Sequence, residues 1–193
     1  MHKFFYSWRF YSFGREQYQE CMSNVFNNNL LSLRHGNTIV AIVAFFFSIF
    51  PIIFEQNIIK TCIYLGFALL ALAMSFYANF VMQQINVKKR VIYILTAFFF
   101  ANIMLFGTFV DVWSMPDTMA AIYPCFLICA LLMFINPPQL NFVLTVSAMS
   151  VFMVSVFIFK ELSDAVFFIF NTLVAGILSL FFSWHITKLR LGL

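Results

Sequence analysis

Apolar residues fill six stretches of the chain, 38–54, 61–82, 91–110, 119–135, 142–159 and 165–184, and no charged residue interrupts any of them. Each is long enough, or nearly so, for the ~20 helical residues that cross a bilayer. Barrel strands alternate between lipid and lumen, whereas residues 41–47, 67–73 and 165–170 are apolar on every face. The pattern therefore predicts an all-α fold, a six-helix transmembrane bundle. The gaps are short: 55–60, 111–118 and 160–164 on one side, 83–90 and 136–141 on the other. Successive helices must be antiparallel neighbours, with no room for a soluble domain between them. Pro137 and Pro138 stop the fourth helix, Pro116 shapes the longest outer loop, and Pro51 and Pro124 sit at outer helix ends.

Ahead of the first stretch the pattern changes. Tyr18, Met22, Val25, Phe26, Leu30 and Leu33 share one helical face, with Glu16, Glu20, Asn27 and Arg34 towards the other. Together with Phe4, Phe5, Trp8, Phe10 and Tyr11, they predict an amphipathic N-terminal helix lying at the headgroup level. Residues 2–13 interleave Lys3, Ser7, Arg9 and Ser12 among aromatics, so they build no signal-peptide core. Three segments result: 1–36 cytoplasmic or interfacial, 37–185 transmembrane, and 186–193 the start of a cytoplasmic linker helix.

Composition excludes a soluble alternative. With 63% hydrophobic and 9% charged residues and a mean hydropathy of +0.95, the chain has too little polar surface to cover a water-soluble globule. Charge then supplies direction. Lys3, Arg9, Arg15, Arg34, Lys88, Lys89, Arg90, Lys188 and Arg190 fall on one side of the six stretches, and only Lys60 and Lys160 on the other. Basic residues stay inside, so both termini are expected in the cytoplasm of a bacterium, with the bundle in its inner membrane. Acidic residues run oppositely, which leaves the inner side at +7 and the outer at −3, together the chain's +4.

Candidate chemistry is sparse. Cys125 and Cys129 share a face at i, i+4, but with no nearby His or carboxylate they read, like Cys21 and Cys62, as small buried apolar residues. His2, His35 and His185 lie near segment ends on the inner side. Proton relays and ion-coupled transport need ionisable groups inside the bundle, and the six stretches hold none. No cofactor, metal site or catalytic residue is read from the chain, and nothing in it suits nucleic acid. The strongest polar residues in the spans are Asn79, Asn102 and Asn171, and Asn102 and Asn171 each follow a Phe-rich run and precede a glycine (Gly107, Gly176) by five positions. Both are expected ~10 Å below the outer boundary. They form either an interhelical amide pair or the floor of a pocket for a small or lipid-like ligand, roofed by Asp111, Trp113, Asp117 and Tyr123.

The sixth stretch has no stop signal. It continues into residues 185–193, where Ile186, Leu189 and Leu193 are spaced three and four apart, the first heptad of a coiled coil that would pair two copies of the chain. A chain that ends in mid-pattern reads as the membrane part of something longer.

Residues 23–34, residues 116–120 with 134–142, and residues 171–184 leading into Lys188, Leu189 and Arg190 resemble the six-span N-terminal membrane domains that precede GGDEF diguanylate cyclase domains. The resemblance covers residues 23–193 through short, hydrophobic motifs. It implies a sensory or regulatory input domain, with a cyclase beyond Leu193 that makes cyclic di-GMP from two GTP molecules. The chain itself contains no Gly-Gly-Asp-Glu-Phe stretch and no phosphate-cradling loop. Two alternatives stay open: the substrate-binding subunit of an energy-coupling-factor vitamin transporter, with Ala41, Ala44 and Ser48 as a docking face, and the input domain of a histidine kinase.

Overall fold

The computed structural model describes residues 15–83, 89–115 and 121–192. They form helices α1 (Arg15–Phe50), α2 (Ile58–Met82), α3 (Lys89–Thr108), α4 (Ile122–Met133), α5 (Pro138–Phe159) and α6 (Leu162–Gly192). No strand occurs among the described residues. Wider π-helical turns, Pro51–Glu55 and Phe109–Ser114, carry α1 and α3 on to one rim of the bundle, termed outer after the side that the charge pattern leads one to expect, the opposite end being termed inner. Five helical spans are long and apolar enough to cross a membrane, and Phe45, Phe46, Leu69, Phe76, Phe157 and Ile177 are each more than half exposed on the outside of the bundle. Such a surface suits lipid and not water, and the protein is a membrane protein.

α3 is the central helix, with well over half of its apolar span buried where the other four spans are mostly exposed. It packs against α1, α2, α4 and α5, while α6 lies on α4 and α5. Ala68, Ala71, Ser75 and Ala78 line the buried face of α2 and let α1 approach closely along its length. Towards the outer end the packing becomes aromatic. Phe47, Tyr64, Phe67, Phe106, Phe109 and Phe126 bring their rings within 5.1–6.2 Å of one another across α1, α2, α3 and α4. Lys60 closes that rim, pairing with Glu55 at 2.6 Å and donating to the Ser114 carbonyl at 3.0 Å.

Several sequence expectations need correction. The separate interfacial helix does not form, because α1 runs unbroken through position 36 and into the first span. Val25, Phe26, Leu30 and Leu33 turn into the core, Phe26 packing edge-on against Tyr93 of α3. Gly36 permits the close approach that follows, since a Cβ there would meet Met133 at 2.5 Å and Phe99 at 3.1 Å. The aromatic residues at 4–11 lie outside the described residues. At the other end of the chain α6 is continuous across 185 to Gly192, the run-on that the missing stop signal predicts.

The fourth span is shorter than expected. α4 has 12 residues, ~18 Å of helix against ~30 Å of hydrocarbon. Its chain leaves the helix at Phe134, well before Pro137, and runs extended to Pro138, which opens α5. The outer loop expected at 111–118 begins late, because Asp111 is still helical. Finally, Cys62, Cys125 and Cys129 are exposed on outward faces, not buried. A thiol is apolar enough to face lipid as readily as the core.

Candidate functional site

The ends of the short helix α4 are buried in the bundle, at Tyr123 on one side and at Leu131, Phe134 and Ile135 on the other, where bulk water cannot satisfy their backbone groups. At the outer end the donors are fully accounted for. Asp111, at 1% exposure, accepts the Tyr123 N–H at 2.8 Å and the Ile122 N–H at 3.4 Å. Pro124 has no N–H to satisfy, and the Cys125 N–H reaches the Ala121 carbonyl at 3.2 Å. Asp111 thus caps a helix that begins eleven positions further along the chain. Burial disfavours its charge, and the positive end of the α4 dipole with Lys160 at the outer end of α5 balances only part of that cost. Sequence reading placed every ionisable group outside the spans, and Asp111 is the exception: the π-helical turn carries it inward between Val110 and Val112, both in the core.

The inner end is held by three other helices. Asn29 of α1 clasps Ile135 on both sides, its Nδ2 donating to the carbonyl at 3.0 Å and its Oδ1 accepting the N–H at 2.9 Å. This pair acts as one rung of a backbone ladder across 106 residues of sequence. Ser183 of α6 donates to the Leu131 carbonyl at 3.2 Å and accepts from Asn141 of α5 at 2.9 Å, while Asn141 accepts from Asn136 at 3.1 Å. Arg190 of α6 donates to the Leu132 carbonyl at 3.0 Å. Carbonyls orphaned by the early end of α4 are therefore met by side chains.

No protein-family model, curated protein or solved structure matches the chain. What the site can do follows from its geometry alone.

Of the residues expected around an outward pocket, the structure joins two, Asp111 and Tyr123. The Tyr123 ring stacks on Phe152 at 4.0 Å, wholly buried, and its hydroxyl has no hydrogen-bond partner. Trp113 is half exposed and leans on Phe109. Asp117 lies outside the described residues. Asn102 is 4% exposed with neither amide atom hydrogen-bonded, so the Asn102–Asn171 amide pair does not form. Asn171 sits half-buried on α6, whose main packing partners are α4 and α5, not the α3 that carries Asn102. The glycines that follow them differ in what surrounds them. A Cβ on Gly107 would lie 3.1 Å from the Tyr123 Cα, and one on Gly176 would run into Met149. Gly107 marks a close helix crossing, whereas at Gly176 the neighbour is the flexible end of a side chain.

A groove of about 220 Å³ lies elsewhere, between α3 and α5. Ala97, Ala101 and Met104 line one wall, Leu144, Ala148 and Val151 the other. The Thr108 hydroxyl beside it is already bonded to the Met104 carbonyl at 2.8 Å, so the wall offers apolar contact. Such a groove suits a hydrocarbon chain better than a polar solute.

On α6, Ile186 is half-buried and Leu189 is 64% exposed, while Thr187 and Leu191 turn towards the bundle. Leu193 lies outside the described residues. Sequence reading missed the residues that join the helices here: Asn29, Asn141, Ser183 and Arg190. Asn29 alone carried a local signal, as a polar residue on the apolar stripe that holds Phe26, Leu30 and Leu33.

Proposed function

We propose that this chain is a sensory or regulatory input module, seated in a bacterial cytoplasmic membrane with both termini inside, which controls an output domain through α6. The observation that supports this most directly is the construction of α6. It is an unbroken helix of 31 residues whose inner end is bonded to the end of α4 while Leu189 remains exposed. A helix so placed both receives a change in bundle packing and presents an apolar residue to a second copy. Pairing through Ile186, Leu189 and Leu193 would bring two output domains together. The resemblance to membrane domains of GGDEF proteins favours a diguanylate cyclase as that output.

A small or lipid-like ligand is the stimulus we favour, and the apolar groove between α3 and α5 supports the lipid-like form. Signalling requires that the ligand bind two packings of the bundle with different affinity. Docking onto a transporter's coupling subunit through Ala41, Ala44 and Ser48 receives no support, because all three are buried inside the bundle.

The test is a phase experiment. The bundle is joined at Leu193 to a diguanylate cyclase domain, with one to four residues inserted in the junction, and cyclic di-GMP is measured in cells. Output that rises and falls with helical phase is expected, since each inserted residue turns the domain by ~100°. Output indifferent to phase refutes control through α6. The reading frame after Leu193 decides the partner: a GGDEF domain is expected, and a stop beside a pair of transporter ATPase genes would replace this reading by uptake.

A further inference from the structure

We infer that α4 is the mechanical link between the outer rim and the inner end of α6, so that displacing it at Asp111 shifts α6 near Leu189. This deepens the sensory reading and rests on it for biological purpose, although the coupling itself is a property of the bundle. α4 joins its neighbours in a way the long helices do not. Its chain departs from helix at both ends, at Ala121 and at Phe134, so no helical backbone anchors it to α3 or α5. Side chains hold it instead, Asp111 at the outer end and Ser183 and Arg190 at the inner end, with Asn29 holding the extended residue just beyond. Between those clasps its residues are in regular α-helix, which transmits an axial or rotational displacement with little loss over ~18 Å.

The inner clasp joins α4 specifically to α6. Ser183 and Arg190 stand seven positions apart, two turns on one face, and hold the carbonyls of the consecutive residues Leu131 and Leu132. Leu189, beside Arg190, is the exposed residue that would report any change. The outer clasp lies where the rim groups converge: Asp111 is one turn below Ser114, whose carbonyl holds Lys60. Few hydrogen bonds need to exchange for α4 to move, and those joining it to α6 and to Asp111 are all made by side chains.

The experiment uses the full chain in lipid nanodiscs, with a nitroxide at Leu189→Cys and the four native cysteines replaced by serine or alanine. Label mobility is read by electron paramagnetic resonance, and amide exchange over residues 121–137 by mass spectrometry. In Asp111→Ala, which leaves the Tyr123 N–H without its acceptor, the mobile component at position 189 is expected at least to double, together with faster exchange at Ile122 and Tyr123. Ser183→Ala with Arg190→Gln should produce the same change at 189, and adding Asp111→Ala to that pair should produce nothing further. Gly107→Ala supplies an independent push with Asp111 intact, since its methyl group meets the Tyr123 backbone; it should move the label in the same sense. The proposal is overturned when the amides of Ile122 and Tyr123 open and the label at 189 stays unchanged, or when the two ends of α4 act additively. No output domain takes part, so a failure here leaves the phase experiment to judge the sensory reading, and the converse holds.

Discussion

Replacing Asp111 by alanine removes the outer clasp of α4 and gives a stability change that can be worked from the geometry. The Tyr123 N–H, now bonded at 2.8 Å, would be left buried without an acceptor. An orphaned buried donor costs about 1–3 kcal/mol. The Ile122 bond is long, at 3.4 Å, and its donor is only part-buried, so it adds little. Loss of the charge at the helix N-terminus contributes up to about 1–2 kcal/mol in a partly buried setting. Against these stands the relief of a buried carboxylate that is only partly balanced by Lys160. The net expectation is a loss of about 2–3 kcal/mol for Asp111→Ala, close to a hundredfold in the folded ratio. Asp111→Asn keeps an acceptor oxygen for Tyr123 and loses mainly the charge, about 1 kcal/mol.

The assay is reversible unfolding of the full chain in mixed micelles with increasing sodium dodecyl sulfate, followed by tryptophan fluorescence. Order matters as much as size: alanine must fall below asparagine, and asparagine below the natural residue. If alanine lies within about 0.5 kcal/mol of the natural chain, as surface substitutions do, Asp111 is not holding the helix. The capping argument then fails.

Other positions give contrasting expectations. Asn29→Leu, which removes both partners of Ile135 at once, should cost about 2–4 kcal/mol in the same unfolding assay; a cost under about 0.5 kcal/mol would show that the two bonds are idle. Gly107→Ala forces a methyl group to 3.1 Å from the Tyr123 Cα and should cost about 1–3 kcal/mol, whereas Gly66→Ala meets nothing within 4 Å and should gain about 0.5–1 kcal/mol from helix propensity. Equal effects at the two glycines would contradict the crossing assigned to Gly107. Asn102→Leu removes a buried amide with no partner, so it should raise stability by about 1–3 kcal/mol while abolishing any ligand response that uses the amide. Lower stability with an intact response would remove Asn102 from consideration as a ligand contact.

What the sequence made legible is what lipid imposes. Residues such as Phe46, Leu69 and Phe157 face the bilayer, and any span must be apolar there, so long apolar stretches mark the helices. The ends of the fourth stretch were illegible for the opposite reason. Phe134 and Ile135 continue its apolar pattern, yet the backbone leaves the helix there because Asn29, 106 residues away, supplies the hydrogen bonds that helix would otherwise provide. Asp111 misled in the same way. A carboxylate next to a loop reads as a solvated end, and only the folded chain places two backbone donors of another helix against it. The candidate site is therefore the part of the fold where long-range side-chain bonds override local pattern.

The same fact bears on function. Bonds that hold a helix through its own backbone break only when the helix melts, whereas Asp111, Ser183 and Arg190 can release α4 one contact at a time at about 1–3 kcal/mol each. That scale matches the coupling free energies with which distant sites communicate. A bundle of fully spanning helices would be stiffer and more stable. The short helix with side-chain clasps gives up some of that stability, and the clasps lie on a route that joins the outer rim to the inner end of α6.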